Sequence, residues 1–356
     1  MRTNYISTVS FLNTPRASMN RLQSDLNKAN AESTNDGRYA DVGLQLGYRT
    51  GLTLDLRQGL DDLKAQQDRN GLTSTRINSA YQALDRARTD GEAFMATLTP
   101  GKLNDTSATT IAQASSAKLT ALIAELNTQT GGQYLFGGIN TSQVPIADYE
   151  TTSGTPSPAK QAFVDAFKTQ FHFEPGTQPQ SSDITPAQMQ SFLADGGPFA
   201  ALFSDAQWKD KWSKASDTPV RSEIARNETV DSSVSANAQP LRQLAMLYTL
   251  GASIGLPSLS SNTQAVVYDK LRGLAGSATW GVTNIQADVG AVQARITDVG
   301  KQMDVQKNIL ETGVRNLEYG DPVEAAARVK SLTTQLEISY SLTNQVNRLS
   351  LMDYVR

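Results

Sequence analysis

From Val282 to Leu317 the apolar positions advance in steps of three and four: Val282, Ile285, Val289, Val292, Ile296, Val299, Met303, Gln306, Leu310, Gly313 and Leu317. A heptad pattern of this length commits its residues to one long helix with a single buried stripe. Gln306 and Gly313 interrupt the apolar run, and β-branched residues dominate its first half, so the helix requires a packing partner. Val282, Ile285, Val289, Val292, Ile296, Val299, Met303 and Leu310 form the expected bundle seam. Tyr319, Gly320, Asp321 and Pro322 then supply a helix stop, an N-cap and a proline suited to a first helical turn.

A second helix is expected from there almost to Arg356, with Val329, Leu332, Ile338, Leu342, Val346, Leu349, Met352 and Val355 as its apolar positions. At the other end, Ile6, Val9, Leu12, Met19, Leu22, Leu26 and Ala29 show the same mixed steps, with Pro15 expected at a helix start or kink. Each end carries one narrow stripe, which calls for a helical partner, either the opposite terminus or another molecule. The expected assembly seam is therefore Ile6, Val9, Leu12, Met19, Leu22, Leu26, Ile338, Leu342, Val346, Leu349 and Met352. Met19, Leu22 and Leu26 are expected to pair antiparallel with Ile338, Leu342, Val346 and Leu349, leaving further apolar surface for neighbouring copies.

Between the ends, turn formers at Ser33 to Gly37 give way to a long polar helix with Leu52, Leu56, Leu60, Leu63, Ile77, Tyr81, Leu84, Phe94 and Leu98, closed by Pro100 and Gly101. A further helix follows a cap at Asp105 or Thr106 and ends at Gly131 and Gly132. From Ile139 to about Asn262 prolines cluster and periodicity gives way to short elements. Short helices are expected at 159–171, 186–194 and 198–214, a hairpin at 220–225 and 229–234 turning through Asn227, and a helix at 240–250. The fold class is mainly α, an elongated helical bundle or coiled coil formed by both chain ends, with a smaller mixed α+β inserted domain. The expected domains are 1–32 plus 322–356, the terminal helical domain; 33–140 plus 262–321, the helical bundle; and 141–261, the inserted domain.

Composition removes several chemistries. The 356 residues contain no cysteine, which excludes disulfide scaffolds, thiolate metal sites and cysteine nucleophiles. A net charge of −3 provides no basic field for nucleic acid. Met1 to Leu12 lacks the basic start and apolar core of a general secretory leader, and no apolar run is long enough for membrane insertion. The single histidine, His172, sits between Phe171 and Phe173 and reads as a packed or solvent-facing side chain rather than a catalytic one. Gly131 to Gly138 lacks the Gly-Lys-Ser/Thr ending of a phosphate loop and follows a helix instead of a strand. Asp61 and Asp62, and Asp85 with Arg86 and Arg88, read as solvated helix faces; Trp208 and Trp212 read as core anchors of the insert. No catalytic residue, cofactor or metal site is expected, and the chain is not read as an enzyme.

The run Glu337 to Val355, above all Leu349-Ser350-Leu351-Met352-Asp353-Tyr354, resembles the terminal helix of the bacterial flagellin superfamily. Gly132-Gln133-Tyr134-Leu135-Phe136-Gly137-Gly138 is similar to the segment closing the N-terminal helical half in hook–filament junction proteins, the third hook-associated proteins. Asp36-Gly37-Arg38-Tyr39-Ala40-Asp41-Val42-Gly43 resembles their alphaproteobacterial turn. Together the resemblance covers about 1–140 and 260–356. The opening Asn4-Tyr5-Ile6-Ser7 lacks the Asn- and Ala-rich start of filament flagellins, which favours the junction branch. The resemblance implies a structural adaptor exported without a cleaved signal peptide to the extracellular flagellum. Its implied partners are further copies of itself in a ring or helical array, the first hook-associated protein on the hook side, flagellin on the filament side and a flagellar export chaperone. A filament flagellin, and more distantly a secreted coiled-coil effector, are the competing readings.

Overall fold

The computed structural model describes residues 8–98, 105–150 and 155–354. They form a mainly α-helical chain, beginning with α1 (Thr8–Thr34), α2 (Val42–Leu46), α3 (Thr50–Thr97) and α4 (Asp105–Leu126). A two-residue hairpin, β1 (Gln129–Thr130) with β2 (Gln133–Tyr134), follows. The middle holds α5 (Pro158–Phe171), α6 (Pro186–Leu193), α7 (Pro198–Ala201), α8 (Asp205–Lys211) and the antiparallel pair β3 (Arg221–Ala225) and β4 (Glu228–Asp231). The chain ends in α9 (Gln239–Ser253), α10 (Ser261–Glu318) and α11 (Pro322–Tyr354).

Contacts divide the chain into a terminal unit, Met1–Ala65 with Gln302–Arg356, and a central unit, Gln66–Lys301. Both α3 and α10 are continuous helices that contribute residues to each unit.

The central unit has a thick core. α9 is buried along most of its length, from Leu241 through Gly251, as expected of a helix that is apolar on every side. It packs on α4. Pro240 lies against Gly281 of α10, and Tyr248 meets the Phe94 ring edge-on at 5.4 Å. Also buried in this unit are Ile77, Leu84 and Phe94 of α3, Leu119, Leu122 and Leu126 of α4, and Leu271, Ala275, Ala278 and Val282 of α10. The hairpin β3–β4 is tied to α3 by Gln66 and Asn70, whose amides donate to the Glu223 and Ile224 carbonyls at 2.7 and 2.8 Å.

A second part of this core is aromatic. Phe163, Phe167, Phe171, Phe192, Phe199 and Phe203 form a chain of ring contacts that continues through Trp208 and Trp212 to Tyr149. Trp208 is fully buried and its indole N–H donates to Asn237 Oδ1 at 3.0 Å, so its one polar atom is satisfied. Short helices pack adequately here because aromatic side chains bury large areas.

Several sequence expectations change in detail. The helix expected over 198–214 is two, α7 and α8, because Ser204 is extended at ψ 157° and restarts the helix as an N-cap residue. α1 runs through Pro15 rather than starting there. Gly131 and Gly132, both at positive φ, form the two-residue turn of the β1–β2 hairpin, while Leu135 and Phe136 are buried beyond it. The segment that superficially resembles a phosphate loop is thus a packed turn. His172 ends α5 in the left-handed conformation, with its backbone N–H bonded to the Lys168 carbonyl and its side chain exposed. Among the described residues no group of three or more His, Asp or Glu is placed to hold a metal, and no helix is long and apolar enough to cross a membrane.

Candidate assembly surfaces

In the terminal unit α1 packs along α11. The antiparallel register is fixed near one end by Arg328 with Glu32 (3.3 Å) and further along by the Gln23 amide donating to the Tyr340 hydroxyl (2.9 Å). On α1 the facing positions are Met19, Leu22 and Leu26, half-buried, and Ala29, buried. On α11 they are Ala325, buried, and Val329, Leu332, Leu336, Ser339 and Thr343, half-buried, again spaced by four and three.

Ile338 and Leu342 do not join that pairing, contrary to the antiparallel pair expected from sequence. They lie on another side of α11 and are 53% and 55% exposed. The sequence pattern favoured their frame because it is purely aliphatic, whereas the frame that packs includes Ser339 and Thr343. Ile6 lies outside the described residues, as do the side chains of Val9, Leu12, Val346, Leu349 and Met352.

The connections between helices are held by a clamp the sequence pattern gives no sign of. Gly37 at φ +87° brings the turn after α1 against the turn between α10 and α11, where the Gly320 N–H donates to the Gly37 carbonyl at 2.9 Å. A Cβ at residue 37 would collide with the Gly320 carbonyl. The Tyr39 N–H donates to the Glu318 carbonyl at 3.0 Å, and Arg38 bridges to Tyr319. Asp321 accepts from the Val323 N–H at 2.8 Å and starts α11, with Pro322 as its first residue.

At the centre of this clamp is the Glu318 carboxylate, whose side chain is 1% exposed. It accepts from Thr53 Oγ1 (2.6 Å) and from Arg57 in bidentate fashion, with Arg38 Nε at 3.5 Å. The Arg57 hydrogen bonds, with Thr53 and Arg38 adding to them against the cost of burial, hold the Glu318 carboxyl down at about 2. Beside it Arg315 pairs with Asp36 (3.1 Å) and lies over the Tyr319 ring.

Little else in the terminal unit is buried. Among its described residues the buried apolar side chains are Ala29, Leu46, Met303 and Ala325. Exposed are Leu44, Tyr48, Leu52, Leu54, Val305, Ile309, Val323, Ile338, Tyr340 and Leu342, with Tyr48 at 93%. Leu44 and Tyr48 stand outside although their segment is well capped: Asp41 accepts from the Leu44 N–H, and Thr50 Oγ1 donates to the Gly47 carbonyl. An ordered segment that keeps large apolar side chains in water is a candidate contact surface.

The bundle-seam residues take graded positions on α10. Val282, Val289, Ile296, Val299 and Met303 are buried; Ile285, Val292 and Leu310 are half-buried; Gln306 is exposed. Gly313, the other interruption in the pattern, faces Leu56 of α3.

Paired terminal helices together with a mixed central region define a mainly α-helical protein. The family model for the bacterial flagellin N-terminal helical region matches residues 6–141, and that for the C-terminal helical region matches 273–355. The chain belongs to the flagellin superfamily and is a flagellar protein. Proteins of this family are structural, self-assemble and form the extracellular flagellum. No curated protein matches the chain in sequence. In fold it is similar to a solved chain provisionally described as a flagellar hook-associated protein from Vibrio parahaemolyticus, at 13% identity and a TM-score of 0.50, over 76% of this chain and 97% of that one.

Proposed function

We propose that this flagellar protein is the adaptor at the hook–filament junction, with no catalytic step. The observation that carries the reading is the imbalance in the terminal unit, where four apolar side chains, two of them alanines, are buried and ten large ones face solvent among the described residues. Covering a Leu, Ile or Val side chain contributes about 1.5–3 kcal/mol before ordering costs, so neighbouring copies can supply what the isolated unit lacks. Head-to-tail contacts between such surfaces close a ring or propagate a helical tube. The assembly seam includes the exposed Ile338 and Leu342 of α11; Ile6, Val9, Leu12, Val346, Leu349 and Met352 are assigned to it by their spacing in the sequence alone. The terminal helices (1–32 and 322–356) line the inner tube, the bundle (33–140 and 262–321) surrounds it, and residues 141–261 project outward.

The adaptor meets the first hook-associated protein on one face and flagellin on the other, after export with a flagellar chaperone. The opening Asn4-Tyr5-Ile6-Ser7, without the Asn- and Ala-rich start of filament flagellins, favours the junction over a filament subunit. Immunogold labelling of intact flagella tests it directly. A single band where hook meets filament is the expected result, and label along the whole filament identifies a flagellin instead. Removing Ile338 to Arg356 should permit export but prevent incorporation at the hook tip; normal filaments in that strain would overturn the reading.

A further inference from the structure

The central unit contains a cleft of about 330 Å³ between the loop after α6, the end of α7 and the facing sides of α9 and α10. Its floor is apolar: Phe203, Met246 and Leu274 line it, each 8% exposed. Its rim is charged. Arg242 of α9 pairs with Asp205 only at 3.5 Å, and its Nε–H is buried with no hydrogen-bond partner among the described residues. Lys270 of α10 reaches Asp195 at 2.8 Å, yet Asp195 is fully exposed, so that pair is readily exchanged. The half-buried Gln243 adds an amide beside Arg242.

Arg242 lines the cleft with its side chain 19% exposed and holds its one ion pair only at 3.5 Å, which leaves the outer edge of the guanidinium open to a closer acceptor. The edge of a guanidinium matches a carboxylate geometrically, with two parallel N–H groups facing two oxygens. Asp195 at the rim pairs with Lys270, and Asp205, held by Lys209 at 2.8 Å, stands 3.5 Å from Arg242; these nearby carboxylates disfavour a dianion such as phosphate. The volume lies at the small end of ligand pockets, about 300–1,000 Å³. We propose that this cleft is a binding site for a small monocarboxylate with a short apolar arm: the carboxylate engages Arg242 and displaces Asp195 from Lys270, while the arm rests on Phe203, Met246 and Leu274. The site lies wholly in the central unit and is independent of the assembly reading.

The chain carries its own reporter. Phe203 is in ring contact with Trp208 and Trp212 at 6.3 and 5.8 Å, and Trp280, 71% exposed, can be replaced by Phe to silence the remaining tryptophan. The full chain with Trp280→Phe is titrated with hexanoate, acetate, n-hexanol and inorganic phosphate. Hexanoate should give a saturable change in emission; acetate, hexanol and phosphate should need far higher concentrations or give none. Arg242→Lys keeps the charge but removes the fork, and should weaken hexanoate about tenfold with an unchanged melting temperature. Asp195→Asn, at a fully exposed position that cannot disturb the core, should tighten it. No saturation by hexanoate, equal response to hexanol, or affinity unmoved by both substitutions would overturn the proposal.

Discussion

Thr53 Oγ1 donates to Glu318 Oε1 across 2.6 Å, linking the first turn of α3 to the last turn of α10 through a carboxylate that water hardly reaches. Arg57, one turn further along α3, takes both oxygens of the same group. The terminal unit therefore ties its turns through polar links centred on one ionised side chain more than through a core.

Glu318→Gln should loosen this clamp. The Arg57 fork holds the carboxyl at about 2, below the ordinary 4.5 of a glutamate, which corresponds to on the order of 2–3 kcal/mol after allowing for screening by the half-exposed arginines. Because the folded pKa is depressed, this contribution is complete above about pH 4.5 and is lost as pH falls through about 2. Hydrogen exchange over residues 36–40 and 315–322 should be faster in the variant at neutral pH, and the two proteins should converge in strong acid. Equal protection at pH 7 would contradict the assignment.

Assembly and folding separate at α11. Ile338→Asp with Leu342→Asp alters exposed positions, so monomer helicity by circular dichroism should change little, while incorporation into flagella should fail. Leu336→Asp alters the side that faces α1 and should lower helicity in the monomer itself.

The pattern in the sequence is easiest to read where packing and apolar character coincide. On α10 the buried Val282, Val289, Ile296 and Val299 are all aliphatic, and the stop at Tyr319 to Pro322 is written in residues with strong backbone preferences. It misleads on α11, because Ser339 and Thr343 occupy packed positions while Ile338 and Leu342 do not. Gly313 looks like a defect in the heptad yet provides the space that Leu56 fills. Glu318 gives no local signal at all, since Thr53, Arg57 and Arg38 come from a distant part of the chain. The cleft at Arg242 is equally hidden, being assembled from three separate segments.

Phe192→Ala should test the aromatic part of the central unit. Phe192 is fully buried and touches Phe163, Phe167, Phe171 and Phe199. Its loss should cost about 3–5 kcal/mol and shift the tryptophan-monitored denaturant midpoint downward. An unchanged midpoint would show that the rings do not unfold as one cooperative group.

Deleting about Pro145 to Pro219 should be tolerated for assembly. The Ile139 N–H donates to the Thr218 carbonyl at 3.1 Å and the Lys214 N–H to the Pro145 carbonyl at 2.8 Å, so the two edges of the segment run close together and a short linker can join them. Filaments of such a strain should form but show greater flexural motion under dark-field microscopy; complete failure to incorporate would locate an assembly determinant within the deleted stretch.

The scarcity of interior in the terminal unit has a thermodynamic corollary. When a unit obtains its missing contacts from sister copies, its melting temperature becomes a function of protomer concentration. Dilution then acts on it as a denaturant does on an ordinary globule, and the same polypeptide is pliable when scarce and stiff when crowded.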